Sequence, residues 1–303
     1  LKNDDRLAQD ILELKRERNA VILAHNYQVD EVQDIADFVG DSLGLSRQAA
    51  QTDAGVIVFC GVHFMAETAA MLSPQKTVLL PDIHAGCPMA DMVTVDKLRE
   101  LKAKHPGVPV VTYINSSAEV KAESDYCCTS ANAIEVVSAV PSETIIFTPD
   151  QHLGSFVEHH TSKNVILWSG FCPTHRKITA DDIIKQKSVH ADAKVVAHPE
   201  CRDEVVALAD HVASTTGILQ YCHESSATAF IIGTENGVLY KLRRDNPGKQ
   251  FYPASERAVC PNMKKITLEK VLWALEDMND VVTVPDEIAR QARHAIDRML
   301  AIT

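Results

Sequence analysis

The sequence predicts an α/β protein made of three similar three-layer α/β/α domains, with parallel sheets, arranged around a pseudo-threefold axis. Short apolar runs alternate along the chain with segments of helical spacing, the pattern of parallel strands joined by right-handed helical crossovers. A Cys-Pro motif also recurs, at Cys87-Pro88, Cys172-Pro173 and Cys260-Pro261. In each copy Thr follows the Cys by seven residues (Thr94, Thr179, Thr267), an acid by nine (Asp96, Asp181, Glu269) and an aliphatic residue by eleven (Leu98, Ile183, Val271). The cysteines are 85 and 88 residues apart, so the third observation is a period that marks a triplicated unit.

The first unit opens with an amphipathic charged helix from Leu1 to Arg18, its apolar face carrying Leu7, Ile11 and Leu14. Val21 to Ala24 reads as a buried parallel strand that ends in the polar trio His25-Asn26-Tyr27. Helices follow over Glu31 to Val39 and Leu43 to Gln51, broken at Gly40-Asp41-Ser42, then a strand over Val56 to Phe59, a helix over Phe64 to Met71 and a strand over Thr77 to Leu80. The loop His84-Ala85-Gly86 delivers Cys87.

The second unit repeats this order. It has a helix from Thr94 to Lys104, a strand from Pro109 to Ile114, a helix opened by Thr129-Ser130-Ala131-Asn132, a strand over Ile145 to Phe147, a helix over Leu153 to His159 and a strand over Val165 to Leu167 that leads to Cys172. The third runs through a helix at Thr179 to Lys187, a strand at Lys194 to Ala197, the turn Ser214 to Gly217, a strand at Ala229 to Ile232, a helix at Val238 to Arg243 and Gln250-Phe251-Tyr252 before Cys260. The tail holds a helix (Thr267 to Leu275), a strand (Val281 to Val284) and a helix (Asp286 to Leu300). The expected limits are 1–88, 89–173 and 174–261 for the repeats, with 262–303 packing back on the first.

Composition narrows the function. A 303-residue chain with 46% hydrophobic and 23% charged residues can bury a sizeable core. Net charge of −11 argues against a nucleic-acid surface. No apolar run is long enough to span a membrane and the N-terminus does not read as a signal peptide, so a cytoplasmic protein is expected. Eight cysteines without Cys-x-x-Cys spacing fit neither a disulfide scaffold nor a zinc ribbon.

Three loops at one end of three α/β units can bring Cys87, Cys172 and Cys260 to one metal centre. Three thiolates leave a four-coordinate metal one open position, where it can polarise a substrate oxygen. Cys60, Cys127, Cys128, Cys201 and Cys222 do not repeat and read as core residues. The strand ends supply matched polar pairs, His25 and Tyr27, Tyr113 and Asn115, His198 and Glu200, a set suited to general acid–base work. The segments Asp41-Ser42, Thr129-Ser130 and Ser214-Thr215 either cap helices or bind an anion at helix N-termini. His175, three residues after Cys172, reads as either a cluster or substrate contact or a loop histidine.

On these residues the chain resembles quinolinate synthase, the A-type iron–sulfur enzyme family of de novo NAD biosynthesis. The match runs through Leu23-Ala24-His25-Asn26-Tyr27-Gln28, the segment Asp34 to Leu43, Phe64-Met65-Ala66-Glu67, Cys87-Pro88-Met89-Ala90, Tyr113-Ile114-Asn115-Ser116 and Thr129-Ser130-Ala131-Asn132-Ala133. It continues through Cys172-Pro173-Thr174-His175, His198-Pro199-Glu200-Cys201, Ser214-Thr215 and Cys260 to Lys265.

The resemblance implies a [4Fe–4S] cluster held by Cys87, Cys172 and Cys260, with the fourth iron open as a Lewis acid. It implies condensation of iminoaspartate with dihydroxyacetone phosphate to quinolinate, phosphate and two waters. Substrate contacts would come from His25, Ser42, Tyr113, Asn115, Ser130, His175, His198, Glu200, Ser214 and Thr215. Catalytic groups would be His25, Tyr27, Tyr113, His198 and Glu200, with Glu200 as a general base and Tyr27 as a proton shuttle. An aspartate oxidase or aspartate dehydrogenase would supply the iminoaspartate.

The chain departs from the family pattern at Gly86 and Phe171, where Thr and His often precede the cluster cysteines. It also departs at Thr216, an extra Thr in the third turn, and at Met263, where some members carry a second Cys. The competing expectations are a zinc-dependent lyase or hydrolase on the same three cysteines, and a redox or electron-transfer protein with a fully ligated cluster.

Overall fold

The computed structural model describes residues 2–302; Leu1, the expected start of the first helix, and Thr303 lie outside the described residues. The first unit comprises α1 (Lys2–Glu17), β1 (Ala20–His25), α2 (Asp30–Ile35), β2 (Phe38–Gly40), α3 (Ser42–Gln51), β3 (Val56–Cys60), α4 (His63–Leu72) and β4 (Thr77–Leu79). The second comprises α5 (Val95–Lys104), β5 (Val110–Tyr113), α6 (Ala118–Ala122), β6 (Tyr126–Cys128), α7 (Ala133–Ala139), β7 (Thr144–Thr148), α8 (Gln151–His160) and β8 (Asn164–Leu167). The third comprises α9 (Ala180–Val189), β9 (Lys194–Ala197), α10 (Asp203–Val206), β10 (His211–Val212), α11 (Thr215–Glu224), β11 (Ala229–Gly233), α12 (Val238–Asp245) and β12 (Gln250–Pro253).

Each unit forms a four-stranded sheet, and the three strand orders are β2-β1-β3-β4, β6-β5-β7-β8 and β10-β9-β11-β12. All pairs within the sheets are parallel. The architecture is therefore the expected triplicated α/β/α arrangement. The central strands β1, β5, β9, β3, β7 and β11 are buried runs of Val, Ile, Leu and Phe, because helices cover both faces of a parallel sheet.

The sequence reading missed the fourth strand of each unit. These edge strands are two or three residues long, too short to show a period. The helix expected over Glu31 to Val39 stops at Ile35 so that Phe38–Gly40 can pair with β1. One residue sets each edge. Asp37, Asp125 and Asp210 accept the backbone N–H of Ile22, Val110 and Val195, each at 2.8 Å, and so fix the edge beside the first strand of its sheet.

The Cys-Pro spacing has a local explanation. A single 3-10 turn follows each cysteine, at Ala90–Met92, His175–Lys177 and Met263–Lys265. The next helix has Thr94, Thr179 or Thr267 at its N-cap. The acid two residues later lies in the first turn, where the helix dipole favours it. Leu98, Ile183 and Val271 then point inward and are buried.

The strand expected at Val281 to Val284 does not form. Val281 makes an isolated antiparallel bridge to Leu79, and the left-handed Asp280 (φ 54°) before it and Pro285 after it leave no room for a longer ladder. The tail helices α13 (Leu268–Asp277) and α14 (Asp286–Ala301) close the structure. α13 packs on α1, where Arg18 donates to the carbonyls of Leu275 and Glu276 at 3.2 and 3.1 Å. α14 packs against α4 but also against α6 and β6, so the tail reaches the second unit as well as the first.

Ile296 is fully buried on α14. Ile296→Ala is expected to destabilise the chain by about 2–5 kcal/mol. A urea titration checks this; a loss well under that range would mean that α14 does not hold the first two units together.

Candidate active site

In each sheet the chain turns away in opposite directions after the two central strands, so their C-terminal ends open a crevice, the usual ligand position in such sheets. The three crevices merge into one cavity of about 180 Å³. It is lined by residues of all three units, including His25, Tyr27, Ser42, Tyr113, Asn115, Ser130, His175, His198, Glu200 and Thr215, together with Cys87, Cys172 and Cys260.

At β1 and β9 the pair two residues apart has the same geometry. The Tyr27 N–H donates to His25 Nδ1 at 3.1 Å, and the Glu200 N–H donates to His198 Nδ1 at 3.2 Å. An Nδ1 that accepts leaves the proton on Nε2. Burial pushes the His25 pKa down to about 4 and that of His198 to about 3. Both are therefore neutral donors at pH 7, and His198 Nε2 lies 3.1 Å from Ser130 Oγ.

Glu200 is 4% exposed. Burial works against its charge, but the attraction of His175 and its hydrogen bond, with His198 and the Tyr113 hydroxyl behind them, hold its pKa well below the usual carboxylate range. His175 Nδ1 stands 2.8 Å from Glu200 Oε2, and the Tyr113 hydroxyl donates to Oε1. His175 is buried rather than a solvent-facing loop residue, and its ring stacks on His198 at 4.7 Å between centroids. Burial, then the charge of Glu200, raises the phenol pKa values of Tyr27 and Tyr113, so both stay protonated.

A chain of hydroxyls extends this pair. His175 Nε2 is 2.8 Å from Thr234 Oγ1, which is 2.7 Å from the Tyr27 hydroxyl, and that hydroxyl is 2.9 Å from Thr215 Oγ1. Thr234 was not expected from sequence; it directly follows the C-terminal residue of β11 and is fully buried. Asn115 Oδ1 is buried with no hydrogen-bond partner among the described residues, as suits an acceptor that meets a ligand.

The turn hydroxyls divide between the two expected roles. Asp41 caps α3 by accepting the Gly44 N–H at 3.0 Å, and Ser214 caps α11 by accepting the Gly217 N–H at 3.2 Å. In the second unit Thr129 Oγ1 accepts the Ala131 N–H at 3.2 Å. The next residues, Ser42, Ser130 and Thr215, face the cavity. Ser214 is not part of its lining; its hydroxyl reaches Asp41 at 3.4 Å, and with Thr216 it borders an outer groove.

The three Cys-Pro cysteines are free and half-buried, whereas the other five are free and buried in the core. Burial pushes the Cys87 thiol up to about 12 and that of Cys172 well above its ordinary value; a bound cation would reverse that and hold thiolates.

Successive cysteine loops are tied in a ring. Trp168 Nε1 donates to the Met92 carbonyl at 3.1 Å, and Arg257 reaches the Lys177 carbonyl and Asp182 at 3.3 and 3.1 Å. Asn262 and Lys265 donate to the carbonyls of Gly86 and His84 at 2.8 and 2.6 Å.

Among the described residues, the donors that lie within 4.8 Å of one another are Cys172, His175 and Glu200. Thiolates on one zinc ion would be about 3.8 Å apart, given Zn–S bonds of about 2.3 Å. The three Cys-Pro sulfurs do not form such a set, which disfavours one shared zinc. Three cysteines on three loops fit a larger cluster whose irons each take one thiolate.

Comparison with known proteins gives a consistent result. The family model for Quinolinate synthetase A protein matches residues 9–301. The quinolinate synthase of Geobacter metallireducens is 60% identical over 298 residues, and that of Dehalococcoides mccartyi 59% over 297, each match covering 98% of both chains. The quinolinate synthase of Methanosarcina barkeri is 57% identical over 296 residues, covering 98% of this chain and 97% of its own.

Because His25 and His198 have pKa values depressed from 6.5, the folded chain binds fewer protons than the unfolded one below that pH. Their contribution to stability is complete above about pH 6.5 and is lost as pH falls toward about 4 for His25 and about 3 for His198. Nitrogen NMR of the imidazoles at pH 6 should show both as neutral Nε2–H tautomers. Titration of either ring near pH 6.5 would overturn this assignment.

Proposed function

Since the chain belongs to the quinolinate synthetase A family, and is therefore an enzyme, we propose that it condenses iminoaspartate with dihydroxyacetone phosphate to give quinolinate, phosphate and two waters. The observation that carries this reading is the convergence of three cysteines and three strand-end pairs on one buried cavity. We propose that Cys87, Cys172 and Cys260 hold a [4Fe–4S] cluster. When bound, it supplies a Lewis-acidic iron without a protein ligand, suited to loss of a hydroxyl.

The chain's own residues bind, orient and move protons. His25 and His198 present neutral Nε2–H donors. Ser42 and Thr215 present hydroxyls at the first residues of α3 and α11, where carboxylate or phosphate is favoured, and Ser130 presents one from the turn before α7. Ser214 contributes by fixing the turn that carries Thr215. Asn115 and Tyr113 orient the substrate, and His175 binds beside the cluster.

Glu200 is the general base. Its basicity is set chiefly by His175, whose attraction and hydrogen bond are the strongest influences that hold the Glu200 pKa down against burial. Tyr27 shuttles protons along the hydroxyls of Thr215 and Thr234, each of which can donate or accept. The repeats are assigned to 1–88, 89–173 and 174–261, with the tail at 262–303. The reading places the chain in the cytoplasm and in NAD biosynthesis, next to an aspartate oxidase or aspartate dehydrogenase that makes iminoaspartate. No helix of the described residues is long and apolar enough to cross a membrane.

Anaerobically reconstituted chain should take up iron and sulfide and form quinolinate from the two substrates. Cys172→Ala should lose both cluster and activity. Tyr27→Phe and Glu200→Gln should keep the cluster and lose about 10²–10⁴ in kcat. A wild-type chain with a full cluster that makes no quinolinate, or a colourless zinc-loaded chain that does, would refute the reading.

A further inference from the structure

Two buried carboxyl side chains not assigned a role above, one of them (Glu235) in the cavity lining, share one geometry. Asp150 and Glu235 each lie two residues past the end of the third strand of their sheet, and both are fully buried. One oxygen of each serves the start of the following helix. Asp150 Oδ1 accepts from His152 and Leu153 N–H, both at 2.8 Å, and Glu235 Oε2 accepts from Gly237 N–H at 2.7 Å. The other oxygen reaches across to a cysteine. Asp150 Oδ2 accepts the Cys172 N–H at 3.1 Å, and Glu235 Oε1 accepts the Cys260 N–H at 2.9 Å.

Val62 holds the matching position after β3 and offers no carboxyl group. The backbone bond from the next residue to the cysteine loop is common to all three units, His63 N–H to the Ala85 carbonyl at 2.8 Å, Gln151 to Gly170 at 2.8 Å and Asn236 to Ala258 at 2.9 Å. Lys264 adds a cation 3.1 Å from Glu235 and also donates to the Tyr27 carbonyl, so the Glu235 bridge is continuous with the strand end of the first unit. Close packing supports the Asp150 bridge. The Gln151 N–H donates to the Gly170 carbonyl at 2.8 Å, and a Cβ at Gly170 would stand 2.4 Å from the Pro149 carbonyl oxygen.

We infer that Asp150 and Glu235 are positioning residues that hold the Cys172 and Cys260 loops in the geometry needed to ligate the metal centre, while the Cys87 loop, which lacks such a carboxyl group, has the shared backbone bond and third-unit contacts. The inference rests on the reading of these cysteines as cluster ligands, but the hydrogen bonds it invokes are present in the chain alone. An amide has one acceptor oxygen where a carboxylate has two. Asp150→Asn and Glu235→Gln can therefore keep the helix start or hold the cysteine amide, not both.

The test compares these variants with the wild-type full-length chain. In the metal-free state, alkylation of each cysteine by iodoacetamide is followed by peptide mass spectrometry. Asp150→Asn should speed modification of Cys172 about tenfold, as expected for loss of one buried hydrogen bond, with Cys87 and Cys260 unchanged. Glu235→Gln should do the same at Cys260 alone. After anaerobic reconstitution, both variants should lose iron to a chelator faster than wild type by a similar factor, whereas Val62→Ala should not. Equal acceleration at all three cysteines, or at none, overturns the inference. If wild-type chain takes up no iron–sulfur cluster, the ligand reading fails, and the alkylation pattern still decides whether the carboxylates position the loops.

Discussion

A carboxylate shut away from water must be compensated where it stands, and most of this structure follows from how Glu200 is compensated. Its two oxygens are met by the Tyr113 hydroxyl from the second unit and His175 from the loop after the second cysteine. The far side of that imidazole is met by Thr234 of the third unit, and Thr234 by Tyr27 of the first. The third unit does not compensate Glu200 alone: Tyr113 comes from the second unit and Tyr27, through Thr234, from the first. Removing one partner of such a buried pair leaves the other uncompensated, which costs far more than an exposed pair would. The three sheets are thus tied at their centre by a polar network whose members are also the groups suited to proton transfer.

The same arrangement separates two classes of histidine. His25 and His198 accept from a backbone N–H two residues on and are neutral donors toward the cavity. His175 faces a carboxylate instead, with Nδ1 2.8 Å from Glu200 Oε2. Burial alone therefore does not assign their roles; the partner of Nδ1 does. The His175 and His198 rings nonetheless stack, at 4.7 Å between centroids.

How much of this was legible in the sequence depended on how each residue acts. The cysteines and the strand-end pairs could be read because each repeats at a fixed distance from an element whose apolar run is visible. The hydroxyl turns were legible as a class, but the split between Ser214 as cap and Thr215 as cavity residue needed coordinates, since both suit a helix start. The edge strands were missed because two or three residues carry no period, although Asp37, Asp125 and Asp210, each directly before its edge strand, were a signal that comparison of the three units could have found. Asp150 and Glu235 were also missed. They act through a backbone amide 22 and 25 residues away, and a backbone amide leaves no trace in the residue types at either end.

The triplication explains three cysteines, but the ring is not symmetric, and the asymmetry has a physical direction. The first loop hands Met92 to Trp168 before the second, and the second hands Lys177 and Asp182 to Arg257 before the third. The third returns through Asn262, Lys265 and Lys270 to Gly86, His84 and Asp82 of the first. The loop with no carboxylate of its own, at Val62, is the one that receives this last and densest set. All three loops share a backbone bond within their own units, two add a carboxyl bridge, and the first adds the contacts of ring closure with the third unit. That coupling makes the centre a property of the assembled chain and not of any one repeat, which is the arrangement a site built from three polar strand ends requires.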